Sequence, residues 1–115
     1  MLRIVPNLRA REPRALAAFY RDLFGLDIAM DFGWIATLAA GGTMTPQLSL
    51  MSEGGADTDV PDISIEVDDV DKVHAAALAS GYEIVHPLTD EAWGVRRFFV
   101  RDPEGHLVNV LSHGG

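Results

Sequence analysis

The same punctuation appears twice in this chain: Gly25-Leu26-Asp27-Ile28 and Gly81-Tyr82-Glu83-Ile84 occupy equivalent places, each just after a stretch with helical periodicity. The elements around them repeat in the same order. Leu2 to Leu8 reads as a strand. Pro13, favoured in a first helical turn, opens a helix through Ala15, Leu16, Phe19, Tyr20 and Leu23 that Gly25 stops. Asp27 to Asp31, Trp34 to Ala40 and Gln47 to Ser52 follow as strands, with a tight reversal at Gly41 and Gly42. After Glu53 to Val60, which reads as a linker, Asp62 to Val67 begins the series again. Asp68 or Asp69 is the N-cap of a helix through Val73, Ala77 and Leu78, and Gly81 ends it. Strands at Glu83 to His86, Val95 to Arg101 and Leu107 to Leu111 complete it, the last two joined by the turn Asp102-Pro103-Glu104-Gly105. The expectation is one α+β domain over 1–115, built of two βαβββ modules, 1–52 and 61–113. Identity between the halves is weak, so element order carries the repeat.

Charge and composition narrow the function. The 17 acidic and 9 basic residues leave a net charge of −8, which argues against a nucleic-acid partner, because phosphate binding draws on clustered Lys and Arg. Arg3, Arg9, Arg11 and Arg14 crowd the amino end, but no apolar stretch of signal-peptide length follows and none reaches the roughly 20 residues of a membrane span. A cytoplasmic location with no membrane partner is expected. With no cysteine there is no thiolate metal cage and no Cys nucleophile.

Strand alternation separates two faces. Ile63, Ile65 and Val67 belong under a helix, which turns Asp62, Ser64 and Glu66 the other way. Leu48 and Leu50 oppose Gln47, Ser49 and Met51; Val108 and Val110 oppose Leu107, Asn109 and Leu111; Phe98 and Val100 oppose Val95, Arg97 and Phe99. A solvated sheet surface would explain a polar face. Yet Phe99, Leu107, Leu111 and Met51 share it, and leaving a large apolar side chain in water forgoes about 1.5–3 kcal/mol. A partly apolar groove with convergent polar groups, the usual form of a small-molecule site, fits the mixture better.

The segments Ala18-Phe19-Tyr20, Leu23-Phe24-Gly25-Leu26, Ile65-Glu66-Val67-Asp68-Asp69-Val70, Trp93-Gly94 and Asp102-Pro103-Glu104-Gly105-His106 span nearly the whole chain. In order and spacing they resemble the vicinal oxygen chelate superfamily, which includes glyoxalase I, fosfomycin-resistance enzymes, extradiol dioxygenases and bleomycin-resistance binding proteins. The resemblance implies modules whose mixed sheets curl around a ligand cavity with the helices outside, usually in a homodimer. It also places the metal ligands of metal-using members at Val5, Ser49, Asp62 and Asn109. Valine cannot coordinate, and Ser49 and Asn109 are neutral, so Asp62 would be the one anionic donor, a poor match for zinc, nickel or iron. No cofactor is expected. His74, His86, His106 and His113 show no i, i+4 pairing and read as surface residues.

Two functions follow. One is a metal-independent protein that binds or sequesters a cationic or aromatic compound, with Trp34, Trp93 and Phe99 as stacking rings and Gln47, Ser49, Asp62, Ser64, Glu66, Arg97 and Asn109 as polar contacts; the tryptophans could equally fill core or interface. The other is an enzyme, a lyase, isomerase or dioxygenase using a divalent metal. A metal-free enzyme could use Asp62 or Glu66 as a base whose pKa burial has raised, with Arg97 stabilising negative charge. Of the neighbours Arg96 and Arg97, parity with Phe99 turns Arg97 to the groove, where it could pair with Asp62 or Glu66 or clamp an anionic group of a substrate, and leaves Arg96 for an acid on the helix side; a one-residue bulge would exchange the two roles.

Overall fold

The computed structural model describes residues 1–41 and 46–113. Its elements run β1 (Arg3–Arg9), α1 (Pro13–Phe24), β2 (Asp27–Asp31), β3 (Ile35–Ala39), β4 (Gln47–Met51), β5 (Ile63–Glu66), α2 (Val70–Ala79), β6 (Ile84–Asp90), β7 (Val95–Arg101) and β8 (Leu107–His113). The fold is α+β, with both parallel and antiparallel strand pairs. The reversal expected at Gly41 and Gly42 lies outside the described residues from Gly42 onward.

The chain divides into two compact units, one of residues Val5–Val60 and one in which Met1–Ile4 joins the chain from Pro61 onward. In the first unit β1 runs parallel to β4, which pairs antiparallel with β3, and β3 with β2. In the second, β5 runs parallel to β8, which pairs antiparallel with β7, and β7 with β6. The two topologies are the same, so the repeated element order of the sequence is a repeated strand order in space. The amino terminus is held in the second unit by the Leu2 N–H, which donates to the Glu66 carbonyl at 2.8 Å.

Each helix covers one face of its own sheet. Pro13 begins α1, and Gly25, at a left-handed φ of 69°, ends it by donating its N–H to the Arg21 carbonyl. Leu16, Ala17 and Tyr20 pack on Ala36, Leu38, Leu48 and Leu50. The Asp69 side chain caps α2 by accepting from the Lys72 N–H at 3.1 Å, and Val70, Val73 and Ala77 pack on Ile65, Phe98, Val100, Val108 and Val110. The apolar sets named by alternation are the ones beneath the helices.

Two segments depart from expectation. The strand expected at Glu83 to His86 continues to Asp90 through Pro87. It is tolerated because β6 lies at the end of the strand order, where an unpaired edge needs no N–H. The segment from Glu53 to Val60 is no open linker. The Gly54 N–H donates to the Thr58 carbonyl, the Thr58 N–H and hydroxyl both donate to the Gly55 carbonyl, the Asp57 N–H donates to the Glu53 carboxylate, and Gly54 and Gly55 are buried. Its Gly, Asp and Thr content serves a tight turn in which Ala56 and Asp57 both take positive φ, 51° and 61°.

The β7–β8 turn carries a titrating pair. Asp102 accepts from the Glu104 and His106 N–H groups through Oδ1 and meets His106 Nδ1 at 2.9 Å through Oδ2. The His106 backbone N–H leads the groups that hold the Asp102 carboxyl below its ordinary 3.8, and the bond to Asp102 raises His106 above 6.5. A raised histidine stabilises the fold below its unfolded pKa and loses that contribution as pH rises through the folded value. The depressed Asp102 loses its contribution as pH falls through its own. The pair therefore supports the turn in the window between. In a proton NMR titration His106 should titrate above 6.5, and Asp102→Asn should return it to the ordinary value. An unchanged midpoint in that variant would rule the pairing out.

Candidate functional site

Registry across the second unit builds one face as rows. Ser64 pairs with Asn109, Asn109 with Phe99 and Phe99 with His86, so these four side chains cross β5, β8, β7 and β6 in line. The next row is Glu66, Leu111, Arg97 and Thr89. Both rows lie opposite Ile65, Phe98 and Val110, the face packed under α2.

The first row is short of hydrogen bonds. Asn109, 7% exposed, donates through Nδ2 to the Ser64 hydroxyl at 3.1 Å, while its Oδ1 is buried without a partner. Across the buried Phe99 ring, whose centroid lies 5.2 Å from that of His86, the His86 Nε2 is likewise buried without a partner. Its nearest acidic atom is Glu91 Oε1 at 3.8 Å, beyond hydrogen-bond reach.

Beside it lies a buried ion pair. Arg97 donates through Nε and Nη2 to Glu91 Oε2 at 3.1 and 2.8 Å, the two side chains being 2% and 5% exposed. The guanidinium carbon lies 4.9 Å from the Trp93 ring centroid and 4.7 Å from that of Phe99. Burial pulls the Arg97 pKa below its ordinary value, against the Glu91 charge and hydrogen bond. Glu91 and Trp93 reach this spot because the β6–β7 hairpin closes tightly. Glu91 N–H donates to the Val95 carbonyl, Gly94 N–H donates to the Glu91 carbonyl, and Gly94 takes a φ of 91°, the three-residue loop with a left-handed glycine.

Arg97 thus faces inward as parity required, but it pairs with Glu91 rather than with Asp62 or Glu66. Arg96 turns to the helix side and bonds Asp71 at 2.9 Å and Asp90 at 3.2 Å. Glu66 is taken on both oxygens, by Arg3 at 2.6 Å and His113 at 2.9 Å. Burial pushes its carboxyl up, but the hydrogen bonds from His113 and Arg3 outweigh burial and hold it below the ordinary value, the opposite of what a general base needs. Asp62 is exposed and accepts the Leu107 N–H through Oδ2 at 2.8 Å. His74 and His86, read as surface residues, are half-buried, against Phe98 and Phe99 respectively.

The first unit repeats the construction. Asn7, Ser49, Thr37 and Met30 form a row across β1, β4, β3 and β2. Asn7, Ser49 and Thr37 are buried, and the two hydroxyls bond at 2.8 Å. Gln47 is half-buried at the start of β4. Trp34 sits before β3, at the tip of the β2–β3 hairpin after Gly33, with its ring 6.5 Å from Phe32. Asn7 and Thr37 were not among the expected polar contacts.

The family model described as the Glyoxalase/Bleomycin resistance protein/Dioxygenase superfamily matches residues 3–110. The chain belongs to this superfamily. Solved structures of similar fold include a glyoxalase/bleomycin resistance protein/dioxygenase superfamily member from Vibrio splendidus, 18% identical with TM-score 0.73, covering 97% of this chain and 98% of that one. A methylmalonyl-CoA epimerase of Streptomyces coelicolor in complex with 2-nitronate-propionyl-CoA is 18% identical, with TM-score 0.75 and 96% of each chain covered. The structure described as NAD-dependent benzaldehyde dehydrogenase from Legionella pneumophila is also 18% identical, with TM-score 0.78, covering 96% of this chain and 99% of that one. At this identity the likeness is one of fold. Among curated proteins no match is found.

The metal positions implied for the superfamily can be tested within each unit. Val5 is an aliphatic side chain, and Ser49 bonds to Thr37. Asp62 already accepts a backbone N–H, and Asn109 is a neutral amide with its nitrogen on Ser64. Among the described residues no three His, Cys, Asp or Glu side chains gather where they could hold an ion. This donor set does not fit a divalent transition metal, which favours imidazole and carboxylate. Nor is any helix among the described residues long and apolar enough to cross a membrane.

Proposed function

We propose that this superfamily member binds a small organic molecule, without a metal ion, on the face of the second unit opposite α2. The observation that carries the reading is the Asn109 Oδ1, an acceptor buried without a partner on that face. A buried polar atom left unbonded costs about 1–3 kcal/mol, and such atoms in a native structure call for a specific explanation. A ligand donor at Asn109 supplies one. A metal-dependent lyase, isomerase or dioxygenase is the alternative, and the implied ligand positions, an aliphatic Val5, neutral and already bonded Ser49 and Asn109, and a single carboxylate at Asp62, count against it.

Replacing the amide by an apolar side chain of similar size separates a ligand contact from a structural one. Asn109→Leu removes the unpaired acceptor and also the bond to Ser64, terms of opposite sign. Its stability in denaturant melts should stay within about 1 kcal/mol of wild type or rise. Ligand-induced melting shifts across a panel of small aromatic compounds should vanish in the variant. A loss of 2 kcal/mol or more with the shifts intact would make Asn109 a structural residue and refute the site.

The active assembly in this reading is a homodimer. Phe19, Leu23 and Phe24 on α1 are 53%, 62% and 62% exposed, apolar surface of the kind a second copy covers. Sedimentation at micromolar concentration should give twice the chain mass; a monomer would contradict this.

A further inference from the structure

The α2 side of the second unit, opposite the face of Asn109, carries an open cavity of about 280 Å³. It lies between Val73, Ala76 and Ser80 of α2 and Val100 of β7, with Tyr82 at its rim. The first unit shows its origin. There Leu38, Leu48 and Leu50 lie under the helix, and Leu26, just past the helix end, packs with them. On the matching strands of the second unit the residues under the helix are Val100, Val108 and Val110, each a methylene smaller. Phe98 in place of Ala36 makes up only for Ala77 in place of Tyr20. Tyr82, the counterpart of Leu26, stays 48% exposed.

We infer that this cavity binds a small primary amine with a compact hydrocarbon body, the body inside and the ammonium at the rim. Apart from the hydroxyls of Ser80 and Tyr82, the lining side chains are apolar. An apolar cavity of about 150 Å³ takes up benzene, so this one suits a body of about six to ten carbons.

Two features of the rim select a cation. The first is the end of α2, the negative pole of the helix, where no basic residue stands in the last turn. The Ala76, Ala77 and Leu78 carbonyls accept from the Ser80, Tyr82 and Gly81 N–H groups. The Ala79 carbonyl, next in line, has none of these donors and is left for a ligand N–H. The second is the Tyr82 ring. Arg97 covers Trp93 and Phe99, but among the described residues no cation and no second ring lies against Tyr82, so its face is open to an ammonium. Competing cations stand off. Lys72 leaves α2 eight residues before Ser80, about 12 Å along the axis at 1.5 Å per residue, beyond a Debye length of about 8 Å. Arg101, next to Val100 and so on the opposite face of β7, is engaged with Glu83 at 3.7 Å and the Gly105 carbonyl at 3.1 Å.

Amide NMR of the full chain, titrated at pH 7 with phenylethylamine, phenylethanol, phenylpropionate and methylamine, tests this. Phenylethylamine should shift the amides of Val73, Ala76, Ser80, Tyr82 and Val100 and saturate. Phenylethanol, with the same body, should bind about tenfold more weakly, and the carboxylate more weakly still. Methylamine, which lacks the body, should leave these amides unmoved. Ala76→Leu, at an exposed position, should abolish binding by filling the cavity, and Tyr82→Leu should weaken the amine several-fold and the alcohol less. The wild-type series gives its readout even if a variant fails to fold. If the alcohol or the carboxylate binds as well as the amine, or Tyr82→Leu leaves the amine unaffected, the ligand class is wrong. If no probe moves these amides, or Ala76→Leu leaves amine binding intact, the site itself falls.

Discussion

Glu91→Ala should destabilise the protein by about 3–5 kcal/mol, the usual consequence of removing one partner from a buried ion pair. Arg97 is 2% exposed, and its Nε and Nη2 both donate to Glu91 Oε2. Without that carboxylate the guanidinium keeps its charge in a site that already disfavours it, stacked on two rings that compensate it only in part. A domain of this size has about 5–15 kcal/mol in total, so the variant should unfold at a markedly lower denaturant midpoint. Removing the charge as well, in Glu91→Leu with Arg97→Met, should recover most of the loss, because apolar replacements of a whole buried pair are often neutral or better. A single-variant cost below about 1 kcal/mol would mean that the pair is solvated and belongs with surface salt bridges.

Gly54→Ala should be the next most damaging change. A Cβ on Gly54 would stand 2.1 Å from the Asp59 carbonyl oxygen and 2.4 Å from the Thr58 hydroxyl. The hydroxyl can turn away, but the carbonyl is backbone, in a loop already fixed by the bond from Gly54 N–H to the Thr58 carbonyl. The loop must open, at about 1–3 kcal/mol by the measure of overpacked sites. Gly41→Ala is the control, since a Cβ there meets nothing within 4 Å; equal melting temperatures for the two variants would show that the loop is not packed as described.

How much could be read in advance follows from which interactions are local. Helix starts and stops are written in neighbouring residues, and Pro13, Gly25, Asp69 and Gly81 stand where the helices begin and end. Alternation is local too, so Arg97, Phe99, Ser64 and Asn109 were assigned to the right face. His86, read as a surface residue, instead joins the row of Phe99, because the pairing shifts between Ile84 and His86. That bulge lets both residues keep partners while pointing to opposite faces, and parity fails across it. Glu91 was missed for a related reason. It lies beyond the strand, and only the closure of the Trp93-Gly94 hairpin carries it back to Arg97. A trace was available in the sequence, since an acid and an arginine flanking a Trp-Gly turn are brought close by a hairpin. Glu66 shows the reverse limit: its face was legible, but Arg3 and His113, which occupy it, come from the two ends of the chain.

The claim on which the rest depends is that this face binds its ligand with protein atoms alone. The direct measurement is the affinity of the panel's small aromatic compound that gives the largest melting shift, for wild-type protein with and without excess chelator. Unchanged affinity, together with its loss in Asn109→Leu, is the predicted result. Binding that disappears with chelator and returns on adding zinc, nickel or iron would contradict it.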